Sequence, residues 1–302
     1  MKGTAGRHSN RSEQLFVLSN GIGVAMLGYI ALSALLTFVW EGWAANRTEA
    51  VQAAVSLGRY AFSLLVPFAL VGWALRDRIP PVDHQKPVRN KRFVVAAFAA
   101  GFGTAGFGNL LAWLMQLTAA KEGVELTTAA AIESGDPLAW IITFVGYSLL
   151  AALVEEVVFR GVVLRMLRPW GDLWAVWCSA ALFALCHASP LQFLPALLTG
   201  ALLGIFTVIT DGIGLAVAVH TCYNALALLL NGLLEGQERV WPVLVIWGIL
   251  MAAGLAAVPQ LLSAWNRCRI RWDERTKDFY VAPFMLLAAA FMSMRILSGV
   301  VR

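Results

Sequence analysis

Two adjacent carboxylates interrupt an apolar run, Leu153-Val154-Glu155-Glu156-Val157-Val158-Phe159-Arg160-Gly161. An ionisable group in hydrocarbon costs several kcal/mol unless it is paired or lines a wet cavity, so each one marks a candidate site. On a helix Glu156 and Arg160 are four apart and share a face, where an ion pair makes both charges tolerable in a low dielectric. Glu155 lies about 100° round that helix from Glu156 and is left over, placed for proton transfer. His187 closes a second apolar run, and His220 and Asn224, four apart on a third, could present two donors to one point, as an oxyanion requires. His8 and His84 lie in charged segments and are assigned no role.

The elements that must position these groups are read from hydropathy. Runs long enough to cross a hydrocarbon layer of about 30 Å recur along the chain. About nine are found, near 16–39, 54–75, 93–118, 137–164, 173–188, 191–210, 213–234, 240–264 and 281–300. Ionisable residues near span centres crowd into 150–225. The fifth and sixth runs are short and meet at Ala188-Ser189-Pro190, as a tight hairpin or a pair that does not span fully. The fourth and fifth turn at Pro169–Asp172, with Glu155 fourteen residues before the turn and His187 fifteen after it. Both then sit about 21 to 23 Å from the turn, so the two side chains are expected at one level. His220, eight residues beyond Gly212, fits that depth only if its loop lies deeper or a helix tilts.

Composition excludes a soluble domain. The chain is 59% hydrophobic and 14% charged, with a mean hydropathy of +0.71, whereas soluble domains are about 45–50% apolar and about a quarter charged. The expected fold is therefore an all-α, polytopic transmembrane bundle of about 8–9 spans. One integral membrane domain over 1–302 has its core at 137–232, flanked by helices in 16–118 and 240–300.

Basic residues alternate between loops. Lys2, Arg7 and Arg11, then Arg76, Arg78, Lys86, Arg89, Lys91 and Arg92, then Arg165 and Arg168, then Arg267, Arg269, Arg271, Arg275 and Lys277 fall on one side. The opposite loops are poorer in base, carrying Arg47, Lys121 among Glu122, Glu125, Glu133 and Asp136, and Arg239 beside Glu235 and Glu238. The positive-inside rule then puts the N-terminus in the cytoplasm and makes the number of spans odd. The loop Thr210-Asp211-Gly212 carries no base. These loops explain the net charge of +5, and nothing points to nucleic acid. The first apolar run is too long for a secretory signal core and is read as a retained helix.

Cys178, Cys186, Cys222 and Cys268 have no paired spacing and read as packing residues. The run Gly101-Phe-Gly-Thr-Ala-Gly-Phe-Gly108 lacks the strand and lysine of a phosphate loop. It is read as close helix packing, as are Gly200 and Gly204.

Together, Glu155-Glu156-x-x-x-Arg160, Phe183-x-x-x-His187 and His220-x-x-x-Asn224, in that order on separate apolar helices, resemble the three motifs of the CAAX-type prenyl protease and bacteriocin-processing family, also called CPBP or Abi. The resemblance covers roughly 137–232 and implies an intramembrane endopeptidase acting on a membrane-associated peptide or protein. It implies Glu155 as the catalytic glutamate, His187 helping to activate water, Glu156 and Arg160 in support, and His220 and Asn224 on the oxyanion. A bacterial inner membrane is the expected location, with no cofactor.

Other readings of the same residues stand beside this one. Glu155, His187 and His220 could ligate zinc with Glu156 as base, since two His and a carboxylate make a catalytic zinc set, although the His-Glu-x-x-His helix is missing. A proton-coupled transporter would use the buried Glu and His as a relay. A non-catalytic immunity or anchoring protein would use the Glu-Arg pair only to lock helices. Oligomeric state is not encoded in any feature of the sequence.

Overall fold

The computed structural model describes residues 2–44, 46–80, 90–126, 135–234, 241–266, 279, 281–298 and 300–301. Outside them lie His84, Lys86, Arg89, Glu133, Glu235, Glu238, Arg239, Arg267, Cys268, Arg269, Arg271, Arg275 and Lys277. The described residues form nine helices: α1 Lys2–Ala44, α2 Glu49–Ala74, α3 Lys91–Lys121, α4 Pro137–Trp170, α5 Asp172–Cys186, α6 Pro190–Thr210, α7 Gly214–Leu234, α8 Trp241–Trp265 and α9 Pro283–Ser298. The fold is the expected all-α bundle. Six helices, α1 to α4, α6 and α8, are long and apolar enough to cross a membrane, while α5, α9 and the Gly214–Leu230 part of α7 are shorter apolar helices.

Local sequence accounts for the helix starts. The Thr48 side chain accepts from Val51 N at 3.4 Å, Asn90 from Phe93 N at 2.6 Å and Asp136 from Leu138 N at 2.9 Å, each filling an orphan donor. Gly171, at φ 134°, turns α4 into α5, and Pro190 opens α6 at a position where no amide hydrogen is needed. One boundary differs from expectation: α1 begins at Lys2 rather than near 16, because the polar N-terminal segment continues the helix.

The outward surface is apolar. Phe38, Leu255, Val95, Leu297 and Trp73 are all more than two-thirds exposed. In water such a surface would mark an interaction patch, and here it faces lipid. This is a multi-pass membrane protein.

Small residues bring the helices together. The 101–108 run sends its glycines to three partners: Gly101 faces Val219 of α7, Gly103 and Gly106 face α8, and Gly108 faces Pro195 of α6. A Cβ at Gly103 would stand 2.7 Å from Gly254 Cα, closer than real contacts allow. Gly200 packs on Phe183 and Ala180, and Gly204 on Val176, closing α6 onto α5. Cys178, Cys186 and Cys222 form no disulfide.

Two contacts fix relative direction. Asn20 Oδ1 accepts from Phe284 N at 3.2 Å and Gly23 abuts Phe284 and Met285, while further along both helices Tyr29 neighbours Arg295, so α9 runs parallel to α1. Val300–Val301 pairs antiparallel with Glu125–Leu126, Leu126 opposite Val300, tying the end of α9 to the end of α3. On the opposite face Arg11 Nη2 donates to Pro169 O at 2.7 Å, bringing the start of α1 to the end of α4.

Candidate active site

Helix α4 is not uniform. Wide π turns at Gly146–Leu150 and Val157–Leu164 flank the α-helical Ala151–Glu156, a feature frequent where helices carry function. Between them stand the paired carboxylates, both buried.

Glu156 and Arg160 form the ion pair read from their spacing. Arg160 Nη1 donates to Glu156 Oε1 at 2.9 Å, and both side chains are fully buried. Arg160 Nη2 donates to Gly200 O on α6 at 2.9 Å, and the guanidinium lies over the Phe183 ring, 4.7 Å from its centroid. One residue thus joins α4, α5 and α6.

His220 also binds this pair. Its Nδ1 lies 2.9 Å from Glu156 Oε1. Since Glu156 is the anion of an ion pair, Nδ1 carries the hydrogen and donates it. The same ring points Nε2 at Glu155 Oε2, 3.5 Å away. The other oxygen of Glu155 accepts from the Tyr60 hydroxyl of α2. Glu155 is therefore held on one side by a phenol and faced on the other by an imidazole nitrogen.

The depth of His220 follows from a second buried ion-pair group. Arg168 Nε meets Asp172 Oδ1 at 2.9 Å and its Nη1 meets Asp211 Oδ1 at 3.0 Å, with Asp211 in the left-handed conformation. The Thr210-Asp211-Gly212 turn, featureless in charge counting, is thus docked on the end of α4. Twelve residues separate Glu156 from Arg168 and nine separate Asp211 from His220. That difference is about 4.5 Å of rise. The Arg168 side chain takes it up, because helical side chains lean toward the N-terminus. Arg168, counted among the loop bases, is consumed by this contact.

The remaining expected groups sit nearby without converging. His187 caps α5, and its Nδ1 lies 2.9 Å from Phe183 O. Phe183 stands edge-on to both imidazoles, 4.6 Å from His187 and 5.8 Å from His220 by centroids. Among the described residues no hydrogen bond or ion pair joins His187 to Glu155. The carboxylate faces His220, on a helix whose start is docked on α4 through Asp211. His187 Nε2 has no protein partner among the described residues. Asn224 Nδ2 donates to Tyr147 O at 3.1 Å, a carbonyl of the first π turn. The amide's second hydrogen is still available.

Among the described residues no three His, Cys, Asp or Glu side chains gather as metal ligands. Glu155 and His220 are in contact, and the Nδ1 contact of His187 with Phe183 O leaves its Nε2 as the nitrogen that could serve as a ligand.

Sequence reading missed Tyr60, and it missed Arg59 and Arg295 as ionisable residues within spans. Arg59 lies in α2, where its Nη1 donates to Thr37 Oγ1, and Arg295 lies in α9. The Arg59-Tyr60 pair inside an apolar run was the available signal.

Residues 137–226 match the family model of the Rce1-like type II CAAX prenyl endopeptidases. All six motif residues, Glu155, Glu156, Arg160, His187, His220 and Asn224, lie within the match, which bears out over this segment the resemblance carried by the three motifs. No curated protein and no solved structure matches the chain.

Proposed function

We propose that this protein is an intramembrane endopeptidase that cleaves a membrane-associated peptide or protein with a water activated by Glu155. The observation that carries the reading is the state of Glu155: a buried carboxylate with Oε1 on the Tyr60 hydroxyl and Oε2 facing His220 Nε2. Inside a matched endopeptidase segment, a general base held in this way has a clear use.

In this reading Glu155 takes a proton from water as the oxygen forms its bond to the scissile carbonyl carbon. His187, through its unpartnered Nε2, orients that water. The carbonyl electrons move onto oxygen, where the free Asn224 amide hydrogen and, when the ring carries its second proton, His220 Nε2–H stabilise the tetrahedral oxyanion. Glu155 then returns the proton to the nitrogen as the C–N bond breaks. Glu156 and Arg160 hold His220 in orientation and keep α4, α5 and α6 together. The loop charges support an N-terminus in the cytoplasm, and the resemblance to the bacteriocin-processing family suggests a bacterial inner membrane.

The reading is tested with purified, detergent-solubilised protein and a prenylated CAAX-type peptide. Cleavage by wild type and none by Glu155→Gln is expected. Equal cleavage by both would refute it.

A further inference from the structure

Helix α5 is short, and its last turn stands level with Glu155. Phe183 lies 4.6 Å from His187 and 5.8 Å from His220 by centroids, with the Arg160 guanidinium on its face. The chain turns back just above, at Ala188-Ser189-Pro190, with Ala188 at φ 49°. The helices around the site go on. Helix α1 runs eighteen residues beyond Met26, the neighbour of Cys186, α2 eleven from Tyr60 to Glu49, α4 eighteen from Glu155 to Pro137 and α7 fourteen from His220 to Leu234. They extend about 16 to 27 Å past Glu155 with α5 no longer between them. We propose that water and substrate reach Glu155 through the opening above the α5–α6 turn, from the end of the bundle opposite the basic loops, and that the substrate is a peptide segment on the extracytoplasmic side of the membrane. The proposal rests on the endopeptidase reading and deepens it.

The two directions away from Glu155 differ. Toward the basic loops the way is closed: Val158, Phe159, Val163 and Leu164 are at most 1% exposed, and Phe159 packs between Phe68 and Phe183 at 6.0 and 5.3 Å by centroids. Beyond this apolar layer the ion pairs of Arg168 with Asp172 and Asp211 and the Arg11 bond to Pro169 O close the end of the bundle. In the other direction polar groups continue. His187 and Asn224 are only half-buried, and Asn224 holds Tyr147 O at 3.1 Å, eight residues from Glu155 along α4. Gly21 faces Leu75 and Gly28 faces Pro67, so α1 and α2 are antiparallel, and the contact of Arg59 with Thr37 lies on this same side. Ionisable groups within spans face the bundle interior or a water-filled cavity, and here they mark one side of the site.

Each hydrolysis consumes a water, and a site closed toward the basic loops draws it from the opposite end. Those loops stand in the cytoplasm by the positive-inside rule, so the opening faces outward. A segment cut from that side has already crossed the membrane or been inserted into it. The class of reaction that supplies the substrate is therefore translocation of a polypeptide, and His187 and Asn224 stand where its chain comes in.

The test reads the side of access without relying on turnover. Ala188→Cys at the turn, Thr37→Cys as a second position on the open side, Leu164→Cys in the apolar layer and Arg165→Cys, exposed at the basic end, are made singly in the full-length protein. Right-side-out and inverted membrane vesicles are treated with a membrane-impermeant maleimide, and the adduct is read by mass on the peptide carrying each new cysteine. Ala188→Cys and Thr37→Cys are expected to gain the adduct in right-side-out vesicles alone, Arg165→Cys in inverted vesicles alone, and Leu164→Cys in neither, since buried thiols are inert. Labelling of Ala188→Cys and Thr37→Cys from the Arg165 side, or from neither side, would overturn the proposal. Labelling opposite to Arg165→Cys but in inverted vesicles would overturn the extracytoplasmic assignment. Cut sites lost on Glu155→Gln are expected in outward-facing segments of membrane proteins, and cut sites in cytoplasmic segments would overturn the substrate assignment. Unchanged peptide ends in Glu155→Gln would instead refute the endopeptidase reading, while the labelling would still decide which way the site opens.

Discussion

His220 Nε2 stands 3.5 Å from Glu155 Oε2, although the two residues are sixty-five apart in the chain and belong to α4 and α7. This relation depends on Glu156, which takes Nδ1 of the same ring and so settles which nitrogen faces Glu155. The adjacent glutamates thus divide the work: one is neutralised by Arg160 and orients the imidazole, and the other is left for chemistry.

Tyr60 completes the hold on Glu155 from a helix outside the matched segment. Tyr60→Phe keeps the ring and removes the donor. The expected result is a fall in kcat of about ten- to a hundredfold, the size of a hydrogen bond to a charged group, with KM and the thermal midpoint little changed. A changed midpoint with unchanged kcat would assign Tyr60 to packing alone.

Arg160→Ala removes three contacts at once: the Glu156 ion pair, the Gly200 carbonyl bond and the Phe183 face. Leaving Glu156 buried without its cation should destabilise the protein by about 3–5 kcal/mol, read by unfolding in detergent. Arg160→Lys should recover only part, because an ammonium cannot serve the carboxylate and Gly200 O with the same planar geometry.

Asn224 holds Tyr147 O with one amide hydrogen and has a second to offer. Asn224→Ala is expected to lower kcat by about 10²–10³-fold, the loss typical of an oxyanion donor. A kinetically silent substitution would remove Asn224 from the oxyanion site while leaving the role of Glu155 intact.

Metal dependence is tested by chelation. With His187 on Phe183 and only Glu155 and His220 in contact, activity of the detergent-solubilised protein should survive a strong chelator. Loss on chelation with recovery on added zinc would establish a metal mechanism.

How much of this was legible in the sequence follows the range of each interaction. The helices were readable because hydropathy is a running property of the chain, and the Glu156–Arg160 pair because four residues make one helical turn. The glycine run of α3 was readable as packing because it lacked the strand and lysine a phosphate site needs. Tyr60 on Glu155, Asp211 on Arg168 and Arg295 beside Tyr29 are contacts between distant segments, and no periodicity encodes them. The level match between Glu155 and His187 assumed two regular helices at a common depth. The approach of His220 to Glu155, with the Asp211 turn docked on Arg168, was not part of that count. Charge counting likewise treated Arg168 as a loop base when two aspartates consume it.

The central claim, that Glu155 performs peptide hydrolysis in the membrane, is tested most directly by mapping new peptide ends in membranes of cells carrying wild type or Glu155→Gln at equal abundance. The expected result is a set of cleavage products present with wild type and missing with Glu155→Gln, with the uncleaved substrate retained by the variant. Identical peptide ends in both would contradict it.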